Sequence, residues 1–127
     1  MNIGFDVISD LNLDAEDSFD WEDKATSLYL IIAGNISNDM RVVHQTLVHL
    51  STFYRGIFYI PGSLEHDNMH LVKNRYFEIS EICNSLPNVA LLYRHVVVLD
   101  GVAILGANGW YGSKVNAPTA LEKLHLH

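Results

Sequence analysis

Basic residues are scarce in this 127-residue chain: eight Lys and Arg face fifteen Asp and Glu, for a net charge of −7. No basic run stands out against that background, so a surface that neutralises phosphate backbones is excluded and nucleic acid is not an expected partner. Long apolar runs are missing too. The longest, such as Leu28 to Ala33, fall far short of the twenty or so residues a membrane helix needs, and no basic segment followed by an apolar stretch opens the chain. A single cysteine, Cys83, has no partner for an internal disulfide, which fits a reducing, cytoplasmic setting. In that setting the Asn35-Ile36-Ser37 sequon meets no glycosylation machinery. Repeats, low-complexity tracts and linkers are also absent.

The chain does hold enough apolar material for one core. Hydrophobic residues make up 49% and charged residues only 18%, so residues 1–127 read as a single folded domain with apolar surface to spare. Seven of the acids, Asp10, Asp14, Glu16, Asp17, Asp20, Glu22 and Asp23, crowd one early stretch beside Phe19 and Trp21, as expected of a solvated loop.

Periodicity divides the rest into an α/β pattern. Ile3 to Ser9, Leu28 to Ala33 and Ile57 to Ile60 read as strands, and the unbroken apolar run of the second predicts burial on both faces, as in a parallel sheet. Met40, Val43, Leu47, Leu50 and Tyr54 recur at helical spacing, predicting a helix over 39–54, capped by Ser37 or Asn38 and ended by Gly56. Val72, Tyr76, Ile79, Cys83 and Leu86 predict a second over 70–85, stopped by Pro87. Cys83 falls in that stripe and reads as a buried hydrophobe rather than a nucleophile. A hairpin is expected over 89–107, with Asp100-Gly101 at its turn, and Pro118 starts a last short helix.

Chemistry in open α/β sheets sits beyond the carboxyl ends of the strands. Here those ends carry Ser9-Asp10-Leu11-Asn12, Gly34-Asn35 and Pro61-Gly62-Ser63-Leu64-Glu65. In order and spacing they resemble the first three motifs of the calcineurin-like metallophosphoesterases, Asp-x-His, Gly-Asp and Gly-Asn-His-Glu. The stretch from Val96 to Trp110, with Gly106-Ala107-Asn108-Gly109-Trp110 at its end, resembles that family's hairpin and following turn. The likeness covers about residues 1–112. It implies a half-sandwich: a mostly parallel sheet with flanking helices and a C-terminal hairpin, packed in the family against a second sheet.

The resemblance also implies a two-metal site, and the chain departs from it at most ligand positions. Asp10 matches the first carboxylate, while Asn12 stands in place of a histidine, Asn35 in place of the bridging aspartate and Ser63 in place of an asparagine. Leu64 replaces the histidine that serves the leaving group, and a leucine transfers no proton. The family's later histidine motifs lie beyond this stretch of sequence, and His125 and His127 are a poor substitute for them. The expectation is an inactive relative, without a bound cofactor, kept as a binding or assembly scaffold. Its rivals are a weak phosphoesterase, in which Asp10, Asn12 and Asn35 hold one loosely bound Mg²⁺, Mn²⁺ or Ca²⁺ ion, and a piece of a longer protein that restores the missing ligands.

The remaining polar residues have blander readings. Glu65 is expected to support its loop, Asp10 to cap backbone amides, and His44 and His49 to be ordinary surface or boundary residues. His66 and His70 are four apart, but a shared helix face is not expected. Right-handed crossovers moving in one direction put both helices on one face of the sheet. The other face is left apolar, and a homodimer formed across it is expected; the bland alternative is that the segment from Ser113 folds back over it, and another protein is a further candidate partner.

Overall fold

The computed structural model describes residues 4–66, 72–92, 95–99 and 101–106. Strands β1 (Phe5–Ile8), β2 (Tyr29–Ala33), β3 (Gly56–Ile60) and β4 (Val89–Leu91) form a parallel sheet in chain order. Helix α1 (Met40–Ser51) connects β2 to β3 and helix α2 (Val72–Asn84) connects β3 to β4. A separate antiparallel hairpin, β5 (His95–Leu99) and β6 (Val102–Gly106), follows.

Alternation along the strands sorts the two faces. Leu30, Ile32, Ile57, Tyr59 and Val89 join Val43, Leu47 and Leu50 of α1 and Ile79 and Cys83 of α2 in one buried cluster. Both helices therefore cover the same face, as the shared direction of their crossovers requires. Phe5, Tyr29 and Phe58 contact one another ring to ring on the opposite face, and Val7 beside them is 64% exposed. Gly106 of the hairpin closes on this side, where a Cβ would come within 2.7 Å of Leu92 and 2.9 Å of Ile60.

Strand β2, expected to be buried on both faces, buries only Leu30 and Ile32, with Ile31 half-buried and Ala33 exposed on the other face. Three further details differ from the sequence-based expectation. First, residues 89–91 pair with β3 as a fourth parallel strand rather than opening the hairpin; Val89 and Leu91 continue the apolar rows of Ile57 and Tyr59, so burial favours the sheet. Second, the cap of α1 is Asp39, whose extended backbone lets its carboxylate accept from the Arg41 amide. Ser37 turns its Oγ to the Asp39 N–H instead. Third, α1 stops at Ser51, and Gly56 opens β3 rather than ending the helix. The expected helix after Pro118, and the stretch from Ala107 to Trp110, lie outside the described residues.

Candidate functional site

Where β1, β2 and β3 end, the chain makes tight turns that few residue types tolerate. Gly34, Asn35, Asp10 and Asn12 have φ of 77°, 58°, 57° and 49°. The left-handed region crowds an ordinary Cβ, and Gly, Asn and Asp enter it most readily. The turns are laced together by backbone bonds: the Asp10 amide donates to Gly34 O (3.1 Å), Asn12 to Asn35 O (3.0 Å) and Leu13 to Ile36 O (2.7 Å).

Asn35 lies at the centre of this lattice. Its side-chain Nδ2 donates to Asp10 Oδ1 at 2.7 Å, while its Oδ1 accepts from the Leu64 amide at 2.9 Å. The two partners dictate the orientation of the amide, since a carboxylate takes only a donor and a backbone N–H takes only an acceptor. Gly62 makes room for it: a Cβ there would lie 2.5 Å from Asn35 Oδ1. Asn12 turns its Nδ2 to the Asp10 carbonyl at 3.1 Å, and Ser9 Oγ donates to Asp10 Oδ2 at 3.2 Å.

Below this layer is a charge that composition alone does not reveal. Glu65 is fully buried in a single 3-10 turn, Leu64–His66. Its Oε1 accepts from the Asn35 and Gly62 amides, both at 3.0 Å, and its Oε2 from the Ile36 amide at 2.8 Å and the Tyr59 hydroxyl at 2.6 Å. Burial, followed by the adjacent carboxylate, pushes the Tyr59 hydroxyl far above its ordinary value. One carboxylate thus fastens the loop after β2 to the loop after β3, the supporting role expected of Glu65.

The sequence-predicted residues are thus only partly united. Asp10, Asn35 and the Leu64 backbone form one hydrogen-bonded chain, and Asn12 joins it through main-chain atoms and its amide. Ser63 is exposed beside it. The donor set fits a pair of cations poorly, because the Asn35 oxygen is already taken by an N–H and its other end presents N–H to Asp10. Among the described residues no group of three or more His, Cys, Asp or Glu is placed to hold a metal ion.

The other reactive groups are packed away. Burial pushes the Cys83 thiol up to about 12, leaving no reactive thiolate. His66 is buried; that burial holds its imidazole below the usual range, with Glu65 opposing the shift and Arg75 adding to it. His70 lies outside the described residues, as do His125 and His127. His44 is exposed, but His49 is drawn into contacts that sequence spacing did not suggest.

These features define a small α/β domain with a mostly parallel sheet and a polar turn cluster at its carboxyl edge. No protein-family model matches the chain, and no solved structure matches it. Over 119 residues it is 25% identical to a protein of Acanthamoeba polyphaga mimivirus named "Uncharacterized protein L509". That alignment covers 81% of this chain and 42% of the viral protein, so the chain spans less than half the length of this relative. Among the described residues no helix is long and apolar enough to cross a membrane.

Proposed function

We propose that this domain is a degenerate calcineurin-like metallophosphoesterase relative that no longer hydrolyses phosphate esters and serves as a binding or assembly scaffold. The observation that supports this most directly is the Asn35 amide, which spans Asp10 and the Leu64 N–H. In the family that the motifs resemble, a carboxylate at this position bridges two cations. Here a neutral amide gives Asp10 a hydrogen-bond donor, so the turn cluster holds together by protein bonds alone and needs no cation to relieve repulsion. Leu64 brings only its backbone to the cluster, and its side chain offers no acid for a leaving group.

The scaffold reading also gives the open sheet face a use. Val7 is exposed on that face and Phe5 and Tyr29 are half-buried beside the buried Phe58, and a second copy related by a two-fold axis covers the same patch on both partners.

Purified protein equilibrated with Mn²⁺ and freed of excess ion is expected to retain no stoichiometric metal and to leave nitrophenyl phosphate and bis-nitrophenyl phosphate intact. Stoichiometric metal, with turnover abolished by Asp10→Ala, would establish instead a weak single-metal phosphoesterase using Asp10, Asn12 and Asn35. Sedimentation is expected to give a dimer at micromolar concentration, and a monomer there would overturn the two-fold assembly.

A further inference from the structure

The acidic loop is not simply solvated; Leu13, Phe19 and Trp21 pack against the core, and one imidazole of α1 bonds its backbone. The Trp21 backbone N–H donates to His49 Nε2 at 2.9 Å, which requires a bare lone pair on that nitrogen and hence a neutral ring protonated at Nδ1. The Asp20 Oδ1 lies 3.6 Å from the same Nε2. One ring nitrogen therefore faces a donor and an anion from adjacent residues, and only one of them suits each protonation state.

We propose that His49 is a proton-operated latch for the 14–23 loop. Neutral, it accepts the Trp21 N–H and seats the loop on the helix. On taking up a proton, Nε2 becomes a donor, rejects the Trp21 N–H and bonds the Asp20 carboxylate. The loop then shifts its anchor by one residue.

The surroundings allow both states. Phe19 and Phe53 present their rings to the imidazole edge to face, with centroids 5.8 Å and 5.0 Å away, and hold it in place. His49 occupies the last turn of α1, the negative end of the helix dipole, where a positive charge is favoured. Around it stand the loop acids Asp14 and Asp17, which share with Gln45, Thr46 and His49 the lining of a small cavity between loop and helix. Asp17 already accepts from the Asp14 amide. Lys24 reaches only the Asp20 carbonyl, at 3.4 Å, so the Asp20 carboxylate has no cation of its own among the described residues.

Trp21 carries the movement further. Its indole Nε1 donates to the Tyr54 hydroxyl at 2.8 Å, and that hydroxyl donates to Asp6 Oδ2 at 2.6 Å. A change of anchor at the Trp21 amide therefore acts on a relay that runs to β1. Leu13, Phe19 and Val42 line the same cavity between loop and helix, so a shift of the loop is expected to alter it.

The test is nitrogen-15 NMR of the full chain between about pH 8 and 5, the range over which histidine changes charge. At the upper end the His49 ring is expected in the Nδ1–H tautomer, and the Trp21 amide proton is expected at a hydrogen-bonded, downfield position. On acidification that amide is expected to move upfield with the same midpoint as the His49 ring. His49→Gln keeps an acceptor that does not titrate and is expected to hold the Trp21 amide still throughout. An Nε2–H tautomer at the upper pH would overturn the latch without recourse to any variant. So would a Trp21 amide that titrates unchanged in His49→Gln, or one that stays fixed while His49 titrates.

Discussion

Glu65 shows how much one buried carboxylate can organise. Its two oxygens take three backbone amides and a phenol, so glutamine in its place can satisfy only part of the set. With its oxygen turned to Asn35 and Gly62, its NH₂ can use Tyr59 as an acceptor but strands the Ile36 N–H. Glu65→Gln is expected to cost about 3 kcal/mol, the upper range for losing charge-assisted bonds in a buried setting, measured by urea unfolding. Asn35→Asp makes the complementary change. It sets a carboxylate against Asp10 at a separation where the amide now makes a 2.7 Å bond, and turns the attraction into repulsion. The variant is expected to melt below the wild type in EDTA and to regain the difference on adding Mn²⁺, while the wild type ignores both. Equal melting of the two proteins under both conditions would contradict the role assigned to the amide.

Strand β1 lies at the edge of the sheet, and side chains tie it down. Asp6 accepts from the Thr26 amide at 2.8 Å, from the Thr26 hydroxyl and from Tyr54, linking β1 to the approach to β2 and to the segment after α1. Burial pushes the Asp6 carboxyl up, but the bonds from Thr26, Tyr54 and Ser27 outweigh it and bring it down to about 2. Tyr54 is raised to about 12, first by burial and then by its bond to Asp6. A depressed carboxyl contributes stability that is fully present above its unfolded value of 3.8 and is lost as the pH falls through about 2. Asp6→Asn is therefore expected to be less stable than the wild type by a constant margin from pH 5 to 7, and the margin is expected to shrink below about pH 4. Chemical denaturation across that series checks it. A margin independent of pH would mean that shape, not charge, anchors the strand.

At the scale of the whole molecule, the sheet face opposite the helices exposes apolar side chains unevenly among the described residues. Val7 is 64% exposed on the face opposite the helices, at the edge of a ring cluster of Phe5, Tyr29 and Phe58. Its side chain contributes little to the monomer, so Val7→Arg is expected to leave the unfolding free energy within about 0.5 kcal/mol of wild type, as for surface positions generally. The same change is expected to abolish the proposed dimer, because two-fold symmetry sets two new charges into one apolar contact. Sedimentation of the variant beside the wild type reads this directly; a variant that still dimerises would point to another surface.

Much of this architecture was legible in one dimension. Unbroken apolar runs such as Leu30 to Ile32 announce strands, although only the Leu30 and Ile32 face of β2 is buried, and three-four spacing in Val43, Leu47 and Leu50 announces a helix lying on that face, because local periodicity and burial are two sides of one constraint. The carboxyl-edge loops were legible for the same reason, since a strand that ends in Gly34-Asn35 or Pro61-Gly62 declares its turn. What periodicity could not reach was any bond between residues far apart in the chain. Residues 89–91 joined the parallel sheet because their apolar row found β3. Glu65 became a four-fold acceptor because two turns converge on it. His49, an unremarkable position on a helix, acquired its role only when an acidic loop twenty-eight residues away folded onto it. Pairings of that kind depend on where the chain returns in space, and hydrophobic spacing along the chain does not encode that return.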